Sequence, residues 1–224
     1  MPTRGEIDRL GDALRDTADA DALRRYSEYR QALRLPLQEV AQRVRATLPE
    51  YTVVVRRKTA ESTIAKLRRT PRMRLSRMQD TAGCRFTVPT LADQARDAAT
   101  LVAAFDGAKM DDLRDGQHSG YRAIHLIVRA ESGESVEIQI RTELQHQWAQ
   151  ESEKVAYALG MDVKYGGGPE EIRLALDTLS AEAAELDRLK ISMADFVSRQ
   201  QLADAEAAFR AKCAGMIRLI EGHI

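Results

Sequence analysis

Between Tyr121 and Arg141 the chain alternates twice, and this most constrains the fold. In Tyr121–Arg129, Ile124, Leu126 and Val128 fall on one side and His125, Ile127 and Arg129 on the other, the period of a strand. Glu131-Ser132-Gly133-Glu134 is a turn, and Val136–Arg141 alternates again, with Glu137, Gln139 and Arg141 sharing a side. The two runs form a hairpin with a polar side. A hairpin alone is marginal in water, so the rest of the chain must supply more strands and helices to cover its apolar side.

Those partners are legible. Tyr51–Val55 and Cys84–Val88 read as short strands, the second stopped by Pro89, and Met110–Leu113 as a weaker one. Helical spacing marks Glu61–Arg69, capped by Thr59 or Ser62, then Leu91–Phe105, and a helix capped by Thr142 that carries Leu144, Trp148 and Val155. Leu75–Met78 reads as a short helical turn ahead of Asp80. Glu6–Leu48 reads as helices broken near Thr17–Asp21, with Pro36 either kinking the second or starting another. After the turn Gly166–Pro169, Glu170–Ile220 predicts two further helices separated near Ser192–Met193. The expected class is α/β in its α+β form: a helical extension over 1–50, a core over 51–160 and a second helical extension over 169–224.

A length of 224 residues suffices for one sizeable core, and the zero formal charge advertises no nucleic-acid or membrane partner. Cys84 and Cys213 lack metal-ligand spacing and read as buried apolar residues of a reducing compartment. His118, His146 and His223 have no ligand spacing either, so no zinc site is expected. No apolar run approaches the roughly 18 residues of a membrane helix, so a cytoplasmic location is expected.

The chemistry gathers in few places. Arg56 to Arg77 is strongly basic; it is either a solvated face or, because Arg56 and Lys58 leave a strand as Lys66 leaves the next helix, a phosphate site. Asp80 reads as a helix cap or a metal ligand, and Glu137 as exposed strand decoration or its companion. Together they can hold Mg²⁺ while substrate phosphates supply the remaining oxygens. Tyr121, after Gly120, is a half-buried aromatic or a platform for a nucleobase; His125 is structural, touches phosphate or shuttles a proton. Trp148 reads as core.

The ordered blocks Arg56-x-Lys58-x-x-x-Ser62-x-x-x-Lys66, Asp80-x-x-Gly83-x-Arg85, Gly120-Tyr121-Arg122-x-Ile124-His125 and Glu137-x-Gln139-Ile140-Arg141-Thr142 resemble the synthetase domain of the RelA/SpoT family. The resemblance runs from about Tyr51 to Tyr157. It implies a nucleotidyltransferase-like mixed sheet flanked by helices and a pyrophosphokinase that moves the β,γ-pyrophosphoryl group of ATP to the 3′-hydroxyl of GDP or GTP, making (p)ppGpp. It further implies that Arg56 orients adenine and that Lys58, Ser62 and Lys66, with Arg85, form the ATP side. Asp80 and Glu137 would be Mg²⁺ ligands, with Glu137 or Gln139 near the attacking hydroxyl. Tyr121 would stack the acceptor base, and His125 and Arg114 would meet the acceptor.

The acceptor side departs from the family pattern. Relatives carry a Lys-Asp-Tyr-Ile segment and a Pro-Lys pair before the Gly-Tyr block, whereas Leu113–Ser119 offers Arg114 as its only firm cation. The chain also shows neither a His-Asp hydrolase domain nor a regulatory region, and so resembles the small stand-alone synthetases, which are often homo-oligomers. Some relatives of that size are toxins that modify the 3′ end of tRNA or make (p)ppApp, with an antitoxin as partner. A non-catalytic nucleotide-binding module is the third reading.

Overall fold

The computed structural model describes residues 2–116, 120–159, 167–192 and 196–221. The helices are α1 Arg4–Asp16, α2 Ala20–Ala32, α3 Arg34–Thr47, α4 Ala60–Arg69, α5 Leu91–Ala104, α6 Glu143–Ala158, α7 Glu170–Ser192 and α8 Phe196–Glu221. The strands are β1 Val54–Arg57, β2 Ala82–Val88, β3 Lys109–Asp112, β4 Ile124–Arg129 and β5 Ser135–Thr142, in one mixed sheet of order β1-β2-β5-β4-β3. The α+β class is as expected. Gly166, Met193, His118 and His223 lie outside the described residues.

Pro36 belongs to a new helix: α2 ends at Ala32 with Leu33 as its C-cap, and Pro36 occupies the first turn of α3, where its missing N–H costs nothing. β1 begins later than its apolar run suggests and carries Arg56 and Arg57 into the sheet. As an edge strand it leaves Val54 and Val55 nearly half exposed. β4 begins at Ile124, so Tyr121 precedes the strand.

The chain divides into two compact units. The first comprises Met1–Phe86, Leu101–Met110 and Leu126–Gln139. Here the N-terminal helices brace α4. Gly11 of α1 lies so close to Leu75 that a Cβ would sit 2.7 Å from that side chain. Arg15 donates to the carbonyls of Leu67 and Met73, at 3.3 and 2.7 Å, and Arg68 returns a bond to the Arg15 carbonyl. From α2, the fully buried Tyr26 shares a 2.6 Å hydroxyl bond with Thr63 and donates to the Lys58 carbonyl. The segment expected to be an extension is therefore packed onto the helix that carries Ser62 and Lys66.

The second unit comprises Thr87–Thr100, Asp111–His125 and Ile140–Ile224. Its core joins α6, α7 and α8 through Leu144, Trp148, Ile172, Leu176, Phe209 and Cys213. Trp148 is core, as expected, and its indole N–H donates to the Leu176 carbonyl at 2.7 Å. Thr142 closes a capping box with Gln145 at the start of α6, an arrangement that contributes about 1 kcal/mol. Both cysteines are buried, and burial pushes each thiol up to about 12.

Candidate active site

In the first unit, β1 and β2 run antiparallel, with Arg56 opposite Gly83 and Arg57 opposite Ala82. Ala82, Cys84, Phe86 and Val88 turn into the core, which leaves Gly83 and Arg85 on the other side of β2. Residues paired across a ladder share a side, so Arg56 joins them. On β5, Glu137 reaches the same place: a Cβ built on Gly83 would stand 2.8 Å from the Glu137 carbonyl oxygen and 3.5 Å from its Cβ. Three neighbouring strands thus present a cation, a residue without a side chain, and a carboxylate in one row.

Asp80 precedes β2. Its Oδ2 lies 3.0 Å from Lys58 Nζ and its Oδ1 2.9 Å from Lys66 Nζ, all three side chains being at most a quarter exposed. Burial pushes the Asp80 carboxyl up, but the charges and hydrogen bonds of the two lysines prevail and leave it below the usual carboxylate range. Lys58 follows β1, where its N–H binds the Thr81 carbonyl, and Lys66 comes from α4. Asp80 is not a helix cap. Ser62 sits in the first turn of α4, its N–H and hydroxyl both engaged by Thr59 Oγ1, which settles the cap as Thr59.

Glu137 is 8% exposed, so it is not surface decoration. Gln139 Nε2 donates to its Oε2 at 2.6 Å, fixing the carboxylate's orientation. Among the described residues no three His, Cys, Asp or Glu side chains cluster as a metal cage. Asp80 and Glu137 each offer hard carboxylate oxygens, the donor type that Mg²⁺ takes in small numbers beside water and phosphate.

In the second unit, Arg141 Nη2 donates to the Tyr121 hydroxyl at 2.7 Å, and its guanidinium lies 5.0 Å from the centre of the Tyr121 ring. The same hydroxyl is 2.8 Å from His125 Nε2. The Tyr121 ring also packs toward Trp148, at 6.5 Å between centroids. Arg141 is 3% exposed. Alternation alone put it beside Glu137 and Gln139, but no spacing rule disclosed that it would lock Tyr121.

Arg114 fares differently. It is held at both ends by Asp112, with Nε–Oδ1 at 2.8 Å and Nη2–Oδ2 at 2.6 Å. With Asp112, Arg122, Gln145, Asp187 and Arg188 it lines a cavity of about 550 Å³. Asp187 of α7 is wholly buried, and burial raises its carboxyl to about 6 against the opposing pull of the Thr142 hydroxyl and the Lys190 charge. Nothing in the local sequence around Asp187 distinguished it from the other acidic residues of α7.

Residues 55–162 match the region found in RelA / SpoT proteins. An uncharacterized protein of Mycobacterium tuberculosis is 40% identical over 112 residues, 49% of this chain and 40% of the relative, so the chain matches less than half of that relative's length. Among solved structures, the small alarmone synthetase 1 from Bacillus subtilis bound to its product pppGpp is 24% identical, with 75% of this chain and 95% of that one covered at a TM-score of 0.61. A protein from Streptococcus mutans is 26% identical over 77% of this chain and 99% of its own, with a TM-score of 0.57.

Proposed function

From a chain whose residues 55–162 carry the region found in RelA / SpoT proteins, we propose a Mg²⁺-dependent pyrophosphokinase that transfers the β,γ-pyrophosphoryl group of ATP to the 3′-hydroxyl of GDP or GTP. The product is (p)ppGpp, and AMP leaves. The observation that carries this reading is the clamp of Lys58 and Lys66 on Asp80 beside the row Arg56, Gly83 and Glu137. Two lysines around one carboxylate form a site with excess positive charge, which a triphosphate completes.

In this mechanism Lys58 and Lys66 turn from Asp80 to the donor phosphates, and Asp80 and Glu137 are the residues that would hold Mg²⁺. When bound there, the ion would supply charge neutralisation for the phosphoryl group being transferred. Arg56 and Arg85 extend from the same sheet face toward the adenine and phosphates, and Ser62 offers the first turn of α4. Gln139 holds Glu137 in place near the attacking 3′-oxygen, which displaces AMP at the β-phosphorus. Tyr121, locked by Arg141, presents its ring to the acceptor, with His125 beside it. Product-bound small alarmone synthetase 1 of Bacillus subtilis has the same fold, which supports a nucleotide acceptor.

One observation favours the second reading, transfer to the 3′ end of tRNA or to an adenine nucleotide, with toxic effect: Arg114, the cation assigned to the acceptor, is neutralised by Asp112. Purified protein given ATP labelled at the γ-phosphate and, separately, GDP, GTP, ATP or tRNA decides. Label in GDP or GTP is the expected result; label only in RNA or in an adenine nucleotide replaces the acceptor, and AMP release with none of them abandons the reading.

A further inference from the structure

The first compact unit holds Lys58, Asp80 and Lys66 together with α2, a helix that lies outside residues 55–162. The two lysines repel each other, and the Asp80 carboxylate between them offsets that repulsion. In the proposed reaction both lysines leave Asp80 for phosphate oxygens, so their spacing must rest on groups without charge. Lys66 belongs to α4, a helix of 10 residues, too short to keep its shape in water without packing.

The uncharged contacts converge on one hydroxyl. The Lys58 N–H is held by the Thr81 carbonyl at 2.9 Å, next to Asp80. The Lys58 carbonyl, where the chain leaves β1 for α4, accepts from the Tyr26 hydroxyl at 3.4 Å. That hydroxyl also lies 2.6 Å from Thr63 Oγ1, and Thr63 stands one turn before Lys66 in α4. Tyr26 is 1% exposed and Thr63 0%, so neither can exchange the other for water.

Tyr26 is itself fixed. One turn further along α2, Arg30 Nη2 donates to the Arg57 carbonyl at 3.4 Å, and Arg57 Nη1 returns a bond to the Arg30 carbonyl at 3.1 Å. The helix is thereby tied to the residue just before Lys58. Burial raises the Tyr26 phenol above its ordinary value, which keeps it a proton donor at neutral pH.

We propose that Tyr26 is a positioning residue of the ATP site: its hydroxyl ties the Lys58 carbonyl to Thr63 and so sets the spacing at which Lys58 and Lys66 meet the β- and γ-phosphates, without touching the nucleotide. The role rests on the reading of those lysines as donor cations and is independent of the acceptor.

The test is calorimetric titration of the full chain, in Mg²⁺, with α,β-methylene ATP, whose bridge blocks transfer, and with AMP, which lacks the β- and γ-phosphates. Circular dichroism confirms that each variant is folded at the titration temperature. Tyr26→Phe keeps the ring and is expected to bind α,β-methylene ATP about tenfold more weakly, the size of one weakened charge-assisted contact, while its affinity for AMP equals the parent's. Thr63→Val is expected to show the same loss, and Thr63→Ser, which keeps a hydroxyl, to restore parent affinity. A folded Tyr26→Phe with the parent's affinity overturns the proposal, and so does an equal loss for AMP, which marks general loosening of the fold. Should Tyr26→Phe not fold, a Thr63→Val protein that binds as the parent does overturns it instead. Tyr26-dependent binding without label transfer to any acceptor would leave this role standing and remove the pyrophosphokinase. Label transfer with undiminished donor binding in Tyr26→Phe would do the reverse.

Discussion

No side chain fits at Gly83, because the Glu137 carbonyl oxygen lies 2.8 Å from the position a Cβ would occupy. The conflict is with backbone, so a flexible side chain cannot swing aside to relieve it. Gly83→Ala must therefore push β5 away from β2 and move the Glu137 carboxylate with it. The expected loss is about 1–3 kcal/mol of stability in urea titration, with transfer activity falling further than stability alone would explain. Unchanged activity in a folded Gly83→Ala protein would show that Glu137 need not be so placed.

Asp80 is the counter-charge of two lysines before any nucleotide arrives. Asp80→Asn is expected to lower transfer at least about 10³-fold in a radiolabel assay, through loss of the proposed metal ligand, while ATP still binds to the released lysines. Because Asp80 titrates below its ordinary value, its ionised form stabilises the fold above about pH 4, and that contribution disappears as the pH falls through its native value. Acid unfolding of the Asp80→Asn variant should accordingly lack part of the parent's pH dependence.

Asp187 has the opposite sign. Its native value of about 6 lies above the ordinary 3.8, so the folded chain holds a proton that the unfolded chain releases. Stability should fall as the pH rises from about 4 to 6, by an amount on the order of 3 kcal/mol if the full shift is expressed. Asp187→Asn removes the titration, and its melting temperature should not show that decline. A parent and variant with parallel profiles across this window would mean that Asp187 is not raised.

Tyr121→Phe keeps the ring and removes the hydroxyl shared by Arg141 and His125. The buried Arg141 then loses a partner, at a cost of about 1–3 kcal/mol in thermal unfolding. If Tyr121 faces the acceptor, KM for the acceptor should rise while KM for ATP stays level; a change confined to ATP would move Tyr121 to the donor side.

Much of this arrangement was written locally. Strand alternation in β4 and β5 disclosed the hairpin and set Glu137, Gln139 and Arg141 on one side, since successive strand residues point oppositely. The cap at Thr142, the short helical turn before Asp80 and the buried Trp148 likewise followed from residues a few positions apart. β1 is displaced by a few residues from its apolar run because an edge strand leaves its valines partly exposed and carries arginines that propensity would exclude.

The amino-acid order by itself determined where strands and helices form and which side chains share a side of each, because both depend on neighbours within a turn or a pleat. Tertiary structure alone decided that Lys58 and Lys66 close on Asp80, that α1 and α2 brace α4, and that Asp187 sits under Thr142. Contacts across tens of residues depend on how packed surfaces meet, and no periodicity in the chain records that.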